Sequence, residues 1–254
     1  MWGRTDSAHG NARFLLKSTR TAPLDVDCAG LHRTLVSQHT PEALARSAPL
    51  SQANDPLAAL RVATQEQHAR LDAGLPIAQA HATLADYTAH AAALNAWLLA
   101  LAPELQWLAE REPRFAPDTT HRLQALQADL RDAGHRQSEG DGGSPSAATQ
   151  AQVQHALQQA PDAQGAVRWG LAYVVEGSQL GGQVMHRQLA PRLAPHPLRY
   201  LRGRGTDTGA HWKHFIALLR DHVASPEATA AACAGARAAF AGLEQHLHDQ
   251  GARA

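Results

Sequence analysis

Cysteine is nearly absent from this 254-residue sequence, which contains only Cys28 and Cys233. Two cysteines far apart in a chain long enough to bury its own core argue against a disulfide-stapled fold. A reducing cytoplasm is therefore the expected location. Long hydrophobic runs are also absent: none approaches the roughly 18 residues of a membrane-spanning helix, and the first residues lack the apolar centre of a signal peptide. We expect no membrane partner.

The sequence has no excess of charge of either sign and few aromatic residues. Lys plus Arg and Asp plus Glu number 23 each, so no global field attracts nucleic acid or an anionic membrane. Any anionic ligand must be bound by local basic residues. Aromatic residues make up 5% of the chain, and alanine and leucine dominate instead, which favours helices over sheets. The sequence predicts an all-α fold with a single compact helical domain.

The pattern of the sequence changes near residue 54. Residues 1–53 are rich in Ser, Thr, Arg and His without sustained periodicity, and we predict a poorly ordered N-terminal extension. Alternatively, part of this segment is translated upstream of the natural start. At Asn54-Asp55-Pro56 a capping residue precedes a proline, which is a helix start signal. The helical domain is therefore predicted over residues 54–250.

Seven helices are predicted from the spacing of apolar residues. The first follows Pro56, and the others span residues 84–108, 119–133, 147–159, 166–189, 211–223 and 226–248. Residues 138–146, SEGDGGSPS, are predicted to be a loop, and residues 191–209 form a second irregular stretch that is rich in arginine, proline and glycine.

His68 lies on the apolar face of the first predicted helix. One interpretation is a core histidine bonded to a backbone carbonyl. Asp72, four residues later, is placed to accept a proton from the imidazole and orient it as in a metal site. Arg61 is seven residues earlier, about 10 Å along the same side. This distance suits an iron at His68 and a ring-edge carboxylate at Arg61. Alternatively, Asp72 and Arg61 are solvated charges on the rim of the helix.

The helix predicted at 166–189 contains four glycines, each of which costs roughly 1 kcal/mol relative to alanine. They are Gly170, Gly177, Gly181 and Gly182. Gly177 and Gly181 are four residues apart and share one face, where bare backbone can accept a flat ligand. Close helix packing or a kink would explain the glycines equally well. The string is not a dinucleotide fingerprint, since it lacks the GxGxxG spacing and follows no strand.

Together, these two segments resemble the heme oxygenase family. The family's proximal helix reads approximately L-x-x-A-T-x-x-x-H, and this chain has LRVATQEQH ending at His68. The distal helix of bacterial members reads close to E-G-S-x-L-G, and this chain has EGSQLG ending at Gly181. Residues 237–244, RAAFAGLE, also look like the family's last core helix. The resemblance covers about residues 57–247.

The resemblance implies a role for several residues. His68 becomes the proximal iron ligand, and heme lies between this helix and a kinked distal helix. Arg61 and, by a looser alignment, Lys213 pair with heme propionates. Backbone at Gly177, Gly181 and Gly182 covers the distal face, with Thr64 beside the cofactor. Ser178 replaces an aspartate that orders distal water in the animal enzymes, so the proton donors here remain to be identified.

The implied activity is oxidative opening of heme by molecular oxygen to biliverdin, carbon monoxide and iron, with heme as both substrate and cofactor. Electrons would come from a separate ferredoxin or reductase, because the chain has no flavin or nicotinamide motif. A bacteriophytochrome is a candidate recipient of biliverdin.

Other functions compete with this interpretation. A non-catalytic heme carrier or sensor would share His68. A di-iron carboxylate bundle needs paired E-x-x-H motifs, which the sequence lacks. His211 with His214, and Glu244 with His248, have metal-ligand spacing without a complete ligand set, and we interpret them as solvated helix faces. A structural helical protein would fail to bind heme.

Overall fold

The structure is a computed structural model that describes residues 55–135 and 143–251. The predicted N-terminal extension and most of the predicted loop at 138–146 lie outside these residues. Within them the chain forms eight α-helices and no strand: α1 Pro56–Gly74, α2 Leu84–Arg111, α3 Thr119–Asp132, α4 Ala147–Gln159, α5 Gln164–Leu189, α6 Arg199–Arg202, α7 Thr208–His222 and α8 Pro226–Gly251. Short 3-10 helices occur at Pro76–Ala78, Pro161–Ala163 and Gly205–Asp207. The all-α prediction is confirmed.

Helix α1 begins where the capping signal predicts. The Asp55 carboxylate accepts a hydrogen bond from the backbone N–H of Leu57 at 3.4 Å, and Pro56 occupies the first turn. Arg220 of α7 donates two bonds of 3.0 Å to the same carboxylate. The Arg220 contact is the largest influence that lowers the pKa of Asp55. The start of α1 is therefore fixed to α7 by charge as well as by packing.

Helix α6 is not predicted from the sequence, because it lies in the stretch expected to be irregular. Leu198 and Leu201 are buried, and the backbone N–H groups of Arg199 and Tyr200 donate to the buried carboxylate of Asp129 at 3.0 and 2.9 Å. A four-residue helix has no periodicity to detect. Tertiary contacts with α3 hold it in place.

Helix α8 is the centre of the bundle, because α1, α4 and α5 all pack on it. Its crossing with α5 is close: a Cβ at Gly170 would overlap the carbonyl oxygen of Ala232, and a Cβ at Gly235 would overlap that of Val167. Buried alanines such as Ala236 continue this contact surface. The alanine-rich composition thus lets helix backbones approach closely.

Helices α1 and α5 share α7 and α8 as neighbours but do not pack extensively on each other. Helix α5 is continuous through all four glycines noted in the sequence. The predicted kink and the predicted position of heme between these two helices stay predictions.

Candidate functional site

His68 lies in the second half of α1, with 53% of its side chain exposed. Its Nδ1 is 2.9 Å from a carboxylate oxygen of Asp72, the contact that the four-residue spacing predicts. The interpretation of His68 as a buried core histidine is therefore wrong. The hydrogen bond to Asp72 raises the pKa of His68 against the smaller opposing effect of burial. Since no side chain of the described residues bonds Nε2, that nitrogen is available to a ligand.

Contacts with α8 set the rotation of α1 about its axis. The ring of His68 lies 6.0 Å from that of Phe240, centroid to centroid. On the same side, the side-chain amide of Gln67 donates to the carbonyl of Arg237 at 3.1 Å. Arg70 donates two bonds of 3.1 and 3.2 Å to Glu244. These contacts hold the imidazole of His68 beside α8, and no side chain of the described residues bonds its Nε2.

The other residues that the sequence singles out on α1 and α7 occupy different surroundings. Arg61 is exposed and close enough to Asp55 to contribute to its lowered pKa, after Arg220. Thr64 is buried, and its hydroxyl donates to the carbonyl of Leu60 at 2.8 Å, so its proton is already bonded within the helix. Lys213 is exposed on α7. No contact brings Arg61, Thr64 and Lys213 together, and their roles stay predictions.

The four glycines of the α5 segment have different neighbours. A Cβ on Gly181 would meet no atom within 4 Å, whereas one on Gly177 would make ordinary contacts of 3.6 and 3.7 Å with the ring of Trp212. A Cβ on Gly182 would face the backbone of Leu201 in α6 at 3.5 Å. Gly177 and Gly181 therefore define a glycine face of α5 that is partly open, and Gly182 points away from it. Trp212 is a neighbour of this face that sequence reasoning missed.

Glu176 precedes the glycine face, and its side chain is fully buried. One of its oxygens, Oε2, is 2.6 Å from a guanidinium nitrogen of Arg122 in α3 and 2.9 Å from Nε2 of His211 in α7. Burial alone would raise the pKa of Glu176, but the hydrogen bond with His211 and the charge and hydrogen bond of Arg122 outweigh burial and lower it. A local motif cannot reveal this cluster, because its members come from three helices.

The comparison with known protein families covers most of the described domain. The family model described as heme oxygenase matches residues 55–249. The chain belongs to the heme oxygenase family. A curated heme oxygenase of Xanthomonas campestris pv. campestris (strain 8004) is 45% identical over 91 residues, which are 35% of this chain and 52% of that protein. The chain thus matches about half the length of this relative.

Within residues 55–135 and 143–251, no group of three or more His, Cys, Asp or Glu side chains is arranged to hold a bare metal ion. His211 bonds Glu176, and His214 bonds the carbonyl of Arg114 at 3.0 Å. None of the helices in these ranges is long and apolar enough to cross a membrane.

Proposed function

We propose that this chain is a heme oxygenase that binds heme through His68 and opens the ring with molecular oxygen to give biliverdin, carbon monoxide and iron. The observation that carries this proposal is the geometry of His68. Its Nδ1 is bonded to Asp72, its ring is half exposed, and its Nε2 is available. A neutral imidazole oriented by a carboxylate is a common iron ligand in proteins.

The residues present fit a flat, dianionic macrocycle. The glycine face of α5 offers open space at Gly181, and bare backbone lets a planar ligand approach closely. Arg61 and Lys213 are exposed cations on α1 and α7 that can pair with propionates. Phe240 packs against the ring of His68 from the core. When bound, heme supplies the iron that activates oxygen and the ring that is oxidised.

The chain's own groups contribute ligation, orientation and space. Asp72 fixes the direction of the His68 ring, so Nε2 points at one position. At Gly181 the absence of a side chain would leave room for a small molecule beside a ligand bound at this face. A neutral proximal imidazole, unlike a thiolate, does not strongly promote cleavage of the O–O bond. Held by such a ligand, heme would favour oxidation of its own ring.

Electrons must come from outside the chain in this proposal. The sequence has no flavin or nicotinamide motif, so the donor is a ferredoxin or a reductase. A bacteriophytochrome that takes biliverdin as its chromophore is a proposed recipient of the product.

One spectrum tests the proposal. The full chain is mixed with hemin, and ascorbate or a ferredoxin system is added under air. We expect loss of the Soret band and growth of broad red absorption as biliverdin forms. A complex that keeps its Soret band under these conditions would instead be a heme carrier or sensor, and a protein that does not bind hemin would contradict both functions.

A further inference from the structure

A cavity lies where the first turn of α5 meets the last turn of α2 and the end of α7. It measures about 200 Å³, and its lining includes Trp107, Gly165 and His222; we call it the Trp107 pocket. Gly165 is twelve residues before Gly177, so the pocket is about 18 Å along α5 from the glycine face. Drug-sized ligands occupy about 300–1,000 Å³. The Trp107 pocket therefore suits a smaller molecule of one or two rings.

Aromatic side chains border the Trp107 pocket. Trp169 is buried in its lining, and Trp107 is half-buried. The rings of Trp169 and His222 are stacked, with centroids 4.8 Å apart and planes 15° from parallel. The whole chain has only five tryptophans, and two of them line this one cavity. Since aromatic rings favour stacked or edge-to-face contact with other rings, the pocket favours a planar aromatic ligand.

Gly165 leaves space beside Trp107. A Cβ at Gly165 would make ordinary contacts of 3.8 and 4.0 Å with the ring of Trp107. At Gly170, later in the same helix, a Cβ would overlap backbone atoms of α8. Packing therefore requires a glycine at position 170 and does not require one at 165. A large side chain at 165 would occupy the pocket.

The start of α5 makes the Trp107 pocket favourable for an anion. The N-cap residue, Ala163, makes no side-chain hydrogen bond, and the first turn contains no acidic residue. The first N–H groups of a helix have no partner within the helix and carry the positive end of its dipole. Gly165 and Ala166, both in this turn, line the pocket. A carboxylate is a suitable ligand for such N–H groups.

Two arginines lie against the indole of Trp107. The guanidinium carbons of Arg111 and Arg168 are 3.9 and 4.2 Å from the centroid of its ring. The contact of Arg111 with Glu110 is 3.8 Å long and exposed, so this ion pair is weak. Arg168 is nine-tenths buried, and its Nε donates to Glu104 at 2.6 Å, but its Nη1 has no hydrogen-bond partner among the described residues. A buried donor without a partner is costly, so we expect an acceptor from outside the chain near Trp107.

Glu112 also lines the Trp107 pocket, but its charge is already paired. Its carboxylate accepts hydrogen bonds from Arg114 at 2.8 Å and from Nε2 of His222 at 2.7 Å. Hydrogen bonds from Arg114 and His222 hold the pKa of Glu112 well below its usual range. The carboxylate is therefore not available to bind a cationic ligand. Arg111 is the charged side chain of the lining that remains free to pair with a ligand.

We propose that the Trp107 pocket binds a planar aromatic carboxylate of one or two rings. The ring packs against Trp107, Trp169 and His222, and the carboxylate lies at Arg111 and the first N–H groups of α5. A tetrapyrrole is too large for 200 Å³, so this ligand is not heme. The site is separate from the glycine face and does not depend on the proposed function.

The first test uses the full chain without heme and three probes: indole-3-acetate, indole and cyclohexylacetate. By titration calorimetry, indole-3-acetate should bind one to one with a Kd on the order of 0.1 mM. Indole, which has no carboxylate, and cyclohexylacetate, which has no aromatic ring, should each bind at least about tenfold more weakly. In NMR spectra of the labelled chain, indole-3-acetate should shift the indole N–H signals of Trp107 and Trp169.

Three variants locate the ligand. Arg111→Gln should weaken indole-3-acetate about tenfold and leave the affinity for indole unchanged, because only the charge contact is lost. Arg131→Gln is the matched control, since Arg131 is also an exposed arginine in the last turn of a helix but lies outside the pocket lining. It should bind all three probes like the parent. Gly165→Leu should abolish binding of indole-3-acetate with little change in Tm.

Several results would overturn the inference. They are no saturable binding of indole-3-acetate, parental affinity in Arg111→Gln or Gly165→Leu, and unchanged signals of Trp107 and Trp169. Displacement of bound indole-3-acetate by one equivalent of hemin would place the probe at the heme site and would also overturn it. If Gly165→Leu does not fold, the signals of the two tryptophans in the parent and the affinity of Arg111→Gln decide the matter. A chain that degrades heme but binds no indole-3-acetate would keep the proposed function and lose this site.

Discussion

In the first half of α5, Gly170 lies against the backbone of α8, whereas in the second half Gly181 has no atom within 4 Å of the place where its Cβ would be. The sequence signal is the same at both positions, a residue that costs roughly 1 kcal/mol inside a helix. Its cause differs. Gly170 is required by packing, and nothing in the fold requires Gly181. A glycine that the fold does not need is the one to examine for function.

The largest expected effect is on folding, at Gly170. Because the added methyl group of Gly170→Ala would overlap the carbonyl oxygen of Ala232, the α5–α8 crossing must open. We expect a loss of about 3 kcal/mol in the free energy of unfolding. Denaturant unfolding of the heme-free protein measures it. A variant as stable as the parent would show that α5 and α8 do not cross closely here.

The second-largest effect is expected on heme turnover, at His68 in α1. His68→Ala should abolish turnover but retain part of the hemin affinity, because burial of the macrocycle contributes independently of the iron bond. His155→Ala, at another exposed helical histidine, is the control and should behave like the parent. Parental turnover in His68→Ala without added imidazole would remove His68 from its proposed role.

Gly181→Leu tests the difference between Gly170, which packing requires, and Gly181, which packing does not require. The space at Gly181 accepts a side chain, so stability should rise by up to about 0.8 kcal/mol. Under the proposed function, turnover should nevertheless fall at least about tenfold, since leucine would fill the open space at Gly181 that the substrate is proposed to face. Hydrogen peroxide added to the ferric complex gives the readout: the parent should lose its Soret band to ring oxidation, and the variant should keep an intact ring. If biliverdin forms at the parental rate, Gly181 does not face the substrate.

The smallest effect is expected at Gly209, another helical glycine with nothing within 4 Å of its Cβ position. It lies in the first turn of α7, and no atom of the glycine face lies within 4 Å of its Cβ position. Gly209→Leu should change stability by only a few tenths of a kcal/mol, because propensity matters little at the end of a helix. Turnover should equal that of the parent. A loss of turnover as large as that of Gly181→Leu would mean that any bulky residue on these helices disturbs the chemistry.

The helices and the orientation of the proposed ligand could be predicted because their signals are local. Asp55 and Pro56 mark the start of α1, and Asp72 lies one helical turn from His68. Each signal spans only a few residues, and elementary helix geometry is sufficient to interpret it.

The environment behind α5 could not be predicted, because its contacts are distant in sequence. Arg122 and His211 are 54 and 35 residues from Glu176. The contact of Trp212 with Gly177 and the anchoring of Tyr200 by Asp129 likewise depend on how separate helices pack. A single sequence contains no periodic signal for such contacts.

The burial pattern of α1 has a consequence for substrate entry. Its buried residues are Pro56, Leu57, Leu60 and Thr64, so none of them lies in the half that carries His68. That half is held by the partly buried Leu71, the His68–Phe240 contact, the bond from Gln67 to α8 and the Arg70–Glu244 pair. Ion pairs near the surface contribute only about 0–1 kcal/mol. Local opening of this half should cost far less than global unfolding. Amide hydrogens from residue 65 onward in α1 should therefore exchange faster than those of α8, and hemin should slow their exchange more than any other.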